Sequence, residues 1–366
     1  MKKIFKSAYF YLYILTPAGL FLCAAAKYID GFADWYCENI YKPAAGALGT
    51  VTGAFPLSLM ELGIAAAVLV IIVLSIGAAR RAHRGETTVL KAFGSVLKKI
   101  FAAASVVFFL FAVFCGTNYY RTSFAEQIGL KVEKSGVDEL YTLCSDLLER
   151  ANSLSTELEH DEHGATAYPE SDFAMAKSAA ENYRLLYEKY PFLNMGGSTL
   201  GTPKPVLCSF VMSKILIAGV YSPYTLEANI CREGPDFLRG STMMHEQTHL
   251  RGFMNEAEAN FVAYLACENS PDPYFEYSGC CHALLNAMNA LYSADYGRWA
   301  ELHARYSESL AADMRAQNAY VAANESPVSD VSDAVNDTYL KLNSQSDGVR
   351  SYGMVVDLLL AYWRTK

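Results

Sequence analysis

The sequence predicts a mainly α-helical protein with a small β-sheet, in which three N-terminal membrane-spanning helices precede one large domain. Three observations carry that prediction. Uncharged apolar blocks fall at residues 7–26, 62–79 and 100–120, and none comparably apolar follows. Beyond them, apolar residues recur at three- and four-residue spacing, the period of an amphipathic helix. Runs rich in β-branched residues are confined to residues 205–230, which limits the sheet to a few short strands. The mean hydropathy of +0.12 is high for a chain in which 19% of residues are charged, so the apolar excess has to be concentrated, as these blocks make it.

Each block approaches the ~20 residues a helix needs to cross a bilayer. The flanking charges orient them, because Lys and Arg beside membrane helices stay on the cytoplasmic side. Lys2, Lys3 and Lys6 precede the first block, and Arg80, Arg81, Arg84, Lys91, Lys98 and Lys99 lie between the second and third. The first connector instead carries Asp30, Asp34 and Glu38 against Lys27 and Lys42. The expected topology is a multi-pass cell-membrane protein with a cytoplasmic N-terminus. Residues 1–120 form the anchor in the lipid bilayer and residues 121–366 an extracytoplasmic domain. Lys2-Lys3, the apolar run and Cys23-Ala24-Ala25-Ala26 also match a cleavable signal peptide; both readings put the large domain outside.

Within that domain the helical period runs over residues 137–154, 173–190 and 274–292. Residues 157–170, with clustered His, Asp and Glu, read as a solvated loop, and Gly196-Gly197-Ser198 and Gly201-Thr202-Pro203 as turns. Residues 205–210 and 215–221 are the strand candidates, with 225–230 a weaker third. Near the C-terminus, Val355 to Leu360 form a short apolar helix interrupted by Asp357 and too short to span a membrane. The nine cysteines are scattered and contain no CxxC pair, which excludes a cysteine-based zinc site and leaves any disulfide pairing open. A net charge of −8 argues against nucleic acid as a partner.

The chemistry is concentrated in His245-Glu246-Gln247-Thr248-His249, an HExxH sequence. Positions i and i+4 share one helix face, so two imidazoles can reach one Zn2+ ion. Zinc lowers the pKa of water towards ~7, and Glu246, one residue along, is placed to act as general base and proton shuttle. Ser241 or Thr242 offers an N-cap for the motif helix. A catalytic zinc needs a third protein ligand and keeps its fourth position open. Gly252 can end the motif helix in the left-handed region, and Asn255 can cap a second helix that begins at Glu256. The chain thus turns back immediately after His249. Glu256 and Asn260 lie four residues apart on one face of that second helix, which suits a metal carboxylate and a group that orients a ligating histidine. Glu258 is the alternative ligand, and Asn255 a poor third because an amide binds zinc weakly.

Glu256-x-x-x-Asn260 resembles the glutamate zincin pattern, although only six residues separate His249 from Glu256, far fewer than in thermolysin-like enzymes. His249-Leu250-Arg251-Gly252-Phe253-Met254-Asn255 resembles the metzincin HxxGxx run, but with Asn255 where that clan has His or Asp. The three apolar blocks, Gly219-Val220-Tyr221-Ser222-Pro223-Tyr224-Thr225-Leu226-Glu227-Ala228-Asn229, both helices of the motif and Ser351-Tyr352 together resemble one bacterial family, the domain of unknown function 3810. That resemblance spans nearly the whole chain and implies a zincin-like fold with no settled substrate. In zincins an edge strand before the motif helix pairs with an extended peptide substrate, and Ala218 to Tyr221 or Thr225 to Ile230 stands in that order here.

An oxyanion donor beside the zinc could come from His282, Tyr264, Tyr292, Tyr296 or Arg298, with His282 the least easily explained as packing. Cys280-Cys281 read as buried thiols in preference to a vicinal disulfide, and His160 and His163 as part of the solvated loop. The expectation is a membrane-anchored zinc metallopeptidase that hydrolyses peptide or protein substrates of the cell envelope through zinc-activated water. The alternatives are a non-catalytic zinc or peptide sensor and a structural cell-envelope protein. An intact Glu246 favours the enzyme, since a binding module needs the histidines and no adjacent base.

Overall fold

A computed structural model describes residues 8–196, 201–327, 329 and 353–366. Lys2, Lys3, Lys6, Ser7, Gly197, Ser198, Ser351 and Tyr352, named above, lie outside the described residues.

Three helices are long and apolar enough to cross a membrane: Ala8–Tyr28, Leu59–His83 and Val89–Phe114. Their boundaries differ from the charge-free blocks. The second helix extends past both ends of 62–79, started by the Ser58 hydroxyl accepting from the Glu61 amide. The third begins eleven residues before residue 100, behind a Thr88 cap, and stops at Phe114, while Gly116–Tyr120 forms a 3-10 turn. The reason is physical: an absence of charge marks the stretch lipid can surround, whereas a helix runs on into water wherever its backbone stays satisfied. Between the first two spans lie Phe32–Tyr36, a π turn at Cys37–Tyr41 and the helix Lys42–Gly53.

The large domain is mainly helical around one apolar core. Helices Val137–Ser155 and Pro273–Ala294 stand where the periodicity put them, while the expected helix over 173–190 breaks at Leu185 into Asp172–Arg184 and Leu186–Lys189. Helices Tyr296–His303 and Glu308–Asn324 follow. The terminal helix Met354–Trp363 continues through Asp357 without interruption, its leucines buried in the core. The loop over 157–170 is pinned from below, where buried Thr166 gives its amide and hydroxyl to Asp313 at 2.7 and 2.8 Å. All nine cysteines are free thiols, Cys280 and Cys281 both buried.

Three short strands form the sheet, in the order β1 (Lys204–Pro205), β3 (Glu227–Ile230), β2 (Gly219–Ser222). β1 runs parallel to β3; β2 runs antiparallel, pairing Gly219 with Ile230 and Ser222 with Glu227. Of the expected strand over 205–210 only Pro205 remains, with Lys204 before it in β1, because the Glu61 carboxylate takes the Leu207 and Cys208 amides at 3.0 and 2.8 Å and the chain turns into the short helix Ser209–Ser213. The weakest strand candidate is the central one. Its polar residues Glu227 and Asn229 are buried and paired, which is why its composition understated it.

The three membrane-length helices and the large domain meet at one end of those helices. Ser58 donates to Asn229 Oδ1 at 2.6 Å, and Glu227 accepts from Leu59 N, Met60 N and the buried Lys204 ammonium at 3.2, 3.0 and 2.7 Å. Tyr221 donates to the carbonyl of Phe114 at 3.0 Å, and Tyr36 to that of Val113 at 3.1 Å. The sheet is therefore bolted to the starts and ends of helices, where backbone groups are otherwise orphaned.

Candidate metal centre

The motif helix runs over Asp236–Leu250, starting earlier than a cap at Ser241 or Thr242 would set it. Those hydroxyl residues are interior to the helix: the Ser241 amide donates to Ser278 Oγ, and the Thr242 hydroxyl bonds back to the Leu238 carbonyl. Gly252, with φ of 84°, turns the chain in the left-handed region that an L side chain adopts at a cost. Asn255 then caps the helix Glu256–Glu268, its Oδ1 accepting from the Ala257 and Glu258 amides at 2.9 and 3.2 Å. This turn brings Glu256 against the two histidines.

His245 Nε2 and His249 Nε2 lie 2.9 Å apart, and Glu256 approaches them at 3.1 and 3.6 Å. One donor atom from each of the three residues lies within 4.8 Å of the others. The far side of each ring is tied down: His249 Nδ1 meets the Phe253 carbonyl at 2.8 Å, and His245 Nδ1 meets Asn260 Oδ1 at 2.7 Å. A carbonyl only accepts, so these contacts place a proton on each Nδ1 and turn each Nε2 towards the other ring and Glu256. Two ring nitrogens and a carboxylate at this spacing need positive charge among them, supplied either by a proton on His249 or by a metal ion. A tetrahedral zinc holds two nitrogen ligands roughly 3.3 Å apart, so the imidazoles need open by only a few tenths of an ångström. The donor set fits that ion.

The electrostatics point the same way. Burial pushes the His249 imidazole down, but Glu256, Glu246 and the Phe253 carbonyl outweigh it and raise its pKa to about 9. Burial likewise works against the Glu256 carboxylate, yet His249 and His245 hold it well below the usual carboxylate range. The cluster thus draws in positive charge.

Glu246 is 5% exposed and lies against β2. Gly219 makes room for it, since a Cβ there would stand 2.6 Å from Glu246 Oε1, and the Tyr221 amide donates to the carboxylate. Burial raises the Glu246 pKa, His245 and His249 oppose the shift, and Glu256 adds to it. Its Oε2 is buried with no hydrogen-bond partner among the described residues. A buried orphan acceptor costs stability and points to an absent donor such as water.

Other candidates are not brought to this centre. Glu258 accepts from the Phe124 amide at 2.8 Å, and burial pushes it up to about 7. Asn255 is spent on its cap. Tyr264 donates to Glu268, Tyr292 and Tyr296 pack on Trp299, and Arg298 pairs with Asp138. His163 is exposed at the loop tip beside Glu162. His282 is near: it lines a cavity of about 210 Å³ with Leu216, Ala218, Leu238, Thr242 and Tyr320, and burial followed by the charge of His245 lowers its pKa to about 4. Of the two possible edge strands, β2 is the outer one and 225–230 is ruled out by its central position. The Phe253 carbonyl is not singled out by the sequence, which presents Gly219 and Tyr221 only as part of a candidate substrate edge, not as the residues that seat Glu246.

Fold and site together define a mainly helical chain with three membrane-length helices and a two-histidine, one-carboxylate cluster beside a buried glutamate. The chain belongs to the family described as Protein of unknown function (DUF3810), which matches residues 36–360. No curated protein and no solved structure matches it.

Proposed function

We propose that this protein is a membrane-anchored, zincin-like zinc metallopeptidase whose large domain is extracytoplasmic. The observation that carries the reading is the convergence of His245 Nε2, His249 Nε2 and the Glu256 carboxylate, next to Glu246 with a buried oxygen that has no hydrogen-bond partner among the described residues. Zinc bound there supplies a Lewis acid that makes water nucleophilic near neutral pH and polarises a peptide carbonyl. Glu246 takes the proton from the attacking water and returns it to the leaving amine. Burial makes that carboxylate more basic than an ordinary one. Asn260 and the Phe253 carbonyl hold both imidazoles in the ligating tautomer. β2 offers an outer backbone edge on which an extended peptide can lie beside the motif helix. His282, lining the adjoining cavity, is the candidate donor to the developing oxyanion.

The outward orientation is supported by the basic connector of residues 80–99 and by the junction, which engages only the opposite ends of the spans. The test is Glu246→Gln in the full chain: zinc content unchanged and peptide-bond hydrolysis reduced by about 10²–10⁴-fold. Unchanged turnover removes Glu246 from the mechanism.

A further inference from the structure

The metal centre lies very close to the end of a membrane span. Tyr221 packs with its ring 6.5 Å from that of His249, and its hydroxyl donates to the carbonyl of Phe114, the last residue of the third spanning helix. The motif helix is held from the same side, where Tyr41 donates to the Leu250 carbonyl at 2.9 Å and Arg121 to that of Arg251 at 3.1 Å. Tyr41, Cys115, Tyr221, Leu250 and Met254 belong to one apolar cluster that also takes in Phe111 and Phe114. Only side chains separate the histidines from the span, over a distance on the order of 10 Å, about three residues of extended chain.

The same end of the molecule carries apolar side chains that stand exposed among the described residues. Leu207, Phe210 and Val211 are 54%, 58% and 51% exposed, although they sit beside the first turn of the second span, whose Glu61 holds the Leu207 and Cys208 amides. Between the first and second spans, Trp35, Val51 and Phe55 are also exposed. Continuity with the spanning helices commits this face to one occupant, the interfacial layer of the outer leaflet, where aromatic and apolar side chains of peripheral segments settle. The buried Lys204–Glu227 pair, with Glu227 also capping the second span, prevents the domain from lifting away.

We infer that the site acts on membrane-inserted proteins and cuts them within the first few residues beyond a span, the chain being taken up along β2 at the bilayer surface. This rests on the peptidase reading and narrows its substrate class. A soluble peptide reaches the cleft only from solution, whereas a segment emerging from the bilayer is presented at the depth of the metal and at a high effective concentration.

The experiment uses the full chain, loaded with zinc, in vesicles of phosphatidylethanolamine and phosphatidylglycerol, together with single-span reporter proteins whose outer tails carry a long randomised sequence. Cut positions are mapped by mass spectrometry and compared with those in the same tails supplied as free peptides. The expected result is Glu246-dependent cutting clustered within about five residues of the span, at least about tenfold faster than for the free tails. Glu246-dependent cuts spread evenly along the tails, or equal rates for free and tethered tails, overturn the inference and leave the peptidase standing. No cutting of either, or cutting that survives Glu246→Gln, removes the peptidase reading and this inference with it.

Discussion

His249 is fixed from both sides of its ring, by the Phe253 carbonyl at Nδ1 and by Glu256 and His245 at Nε2. His245 depends instead on a side chain, Asn260, for the same service. The two histidines should therefore respond differently to loss of their partners. Asn260→Ala frees the His245 ring to rotate and change tautomer, which predicts zinc binding weakened by about 10–100-fold in a chelator-competition titration, with the helix intact by circular dichroism. Zinc affinity indistinguishable from the parent's would show that Asn260 has no part in orienting the ligand. Of these residues the sequence made His245, Glu246, His249, Glu256 and Asn260 legible, because side-chain identity at i, i+4 spacing is enough to state their relation. The Phe253 carbonyl and the space over Gly219 were not legible: one is backbone, the other an absent side chain, and both acquire meaning only from the turn at Gly252 and the packing of β2.

At the scale of elements, β3 holds the account together. It lies between β1 and β2, buries all four of its residues, and carries the carboxylate that ties strand, Lys204 and the second spanning helix into one junction. Burying an ion pair gives little net stability, but removing one partner leaves a charge stranded. The two partners are not equivalent here. Lys204→Met leaves Glu227 still accepting from the Leu59 and Met60 amides, whereas Glu227→Leu leaves the ammonium without its counter-charge, held only by the Thr52 and Leu57 carbonyls, and orphans those two amides at the start of a helix. Glu227→Leu is expected to cost about 3–5 kcal/mol and Lys204→Met less, read as the shift in thermal unfolding of the detergent-solubilised chain. Equal shifts would mean that the helix cap contributes nothing.

The strand also shows why the sheet was only half legible. A central strand normally announces itself by apolar alternation, and Glu-Ala-Asn-Ile does not. Its polar groups are satisfied by residues some 170 positions away, information that no local window contains. The long helices, by contrast, were legible from periodicity and cap residues alone, as in Val137–Ser155 and Glu256–Glu268.

For the whole molecule, the three membrane-length helices and the large domain form one continuous packed body at their junction, so the proposed topology and the proposed function are linked. On the proposed topology, with the basic connector cytoplasmic, the loop at residues 157–170 faces outward. A membrane-impermeant thiol reagent should label Glu157→Cys in intact cells, in a background where the exposed Cys208 has been replaced by Ser. Labelling that requires lysis would reverse the orientation and the substrate compartment with it. The number of spans and their order were readable from composition, since lipid imposes a simple length and charge rule. Their attachment to the sheet was not, because it depends on single side chains such as Ser58 and Tyr221 meeting distant backbone.

The claim on which the rest depends is that His245, His249 and Glu256 bind zinc, and it is measured most directly as metal content of the purified full chain by mass spectrometry. The account predicts one zinc per chain, lost when His245→Ala and His249→Ala are combined and sharply reduced by Glu256→Ala. A chain purified without chelators that holds no zinc and takes none up, or a double histidine variant that retains it undiminished, would contradict the account.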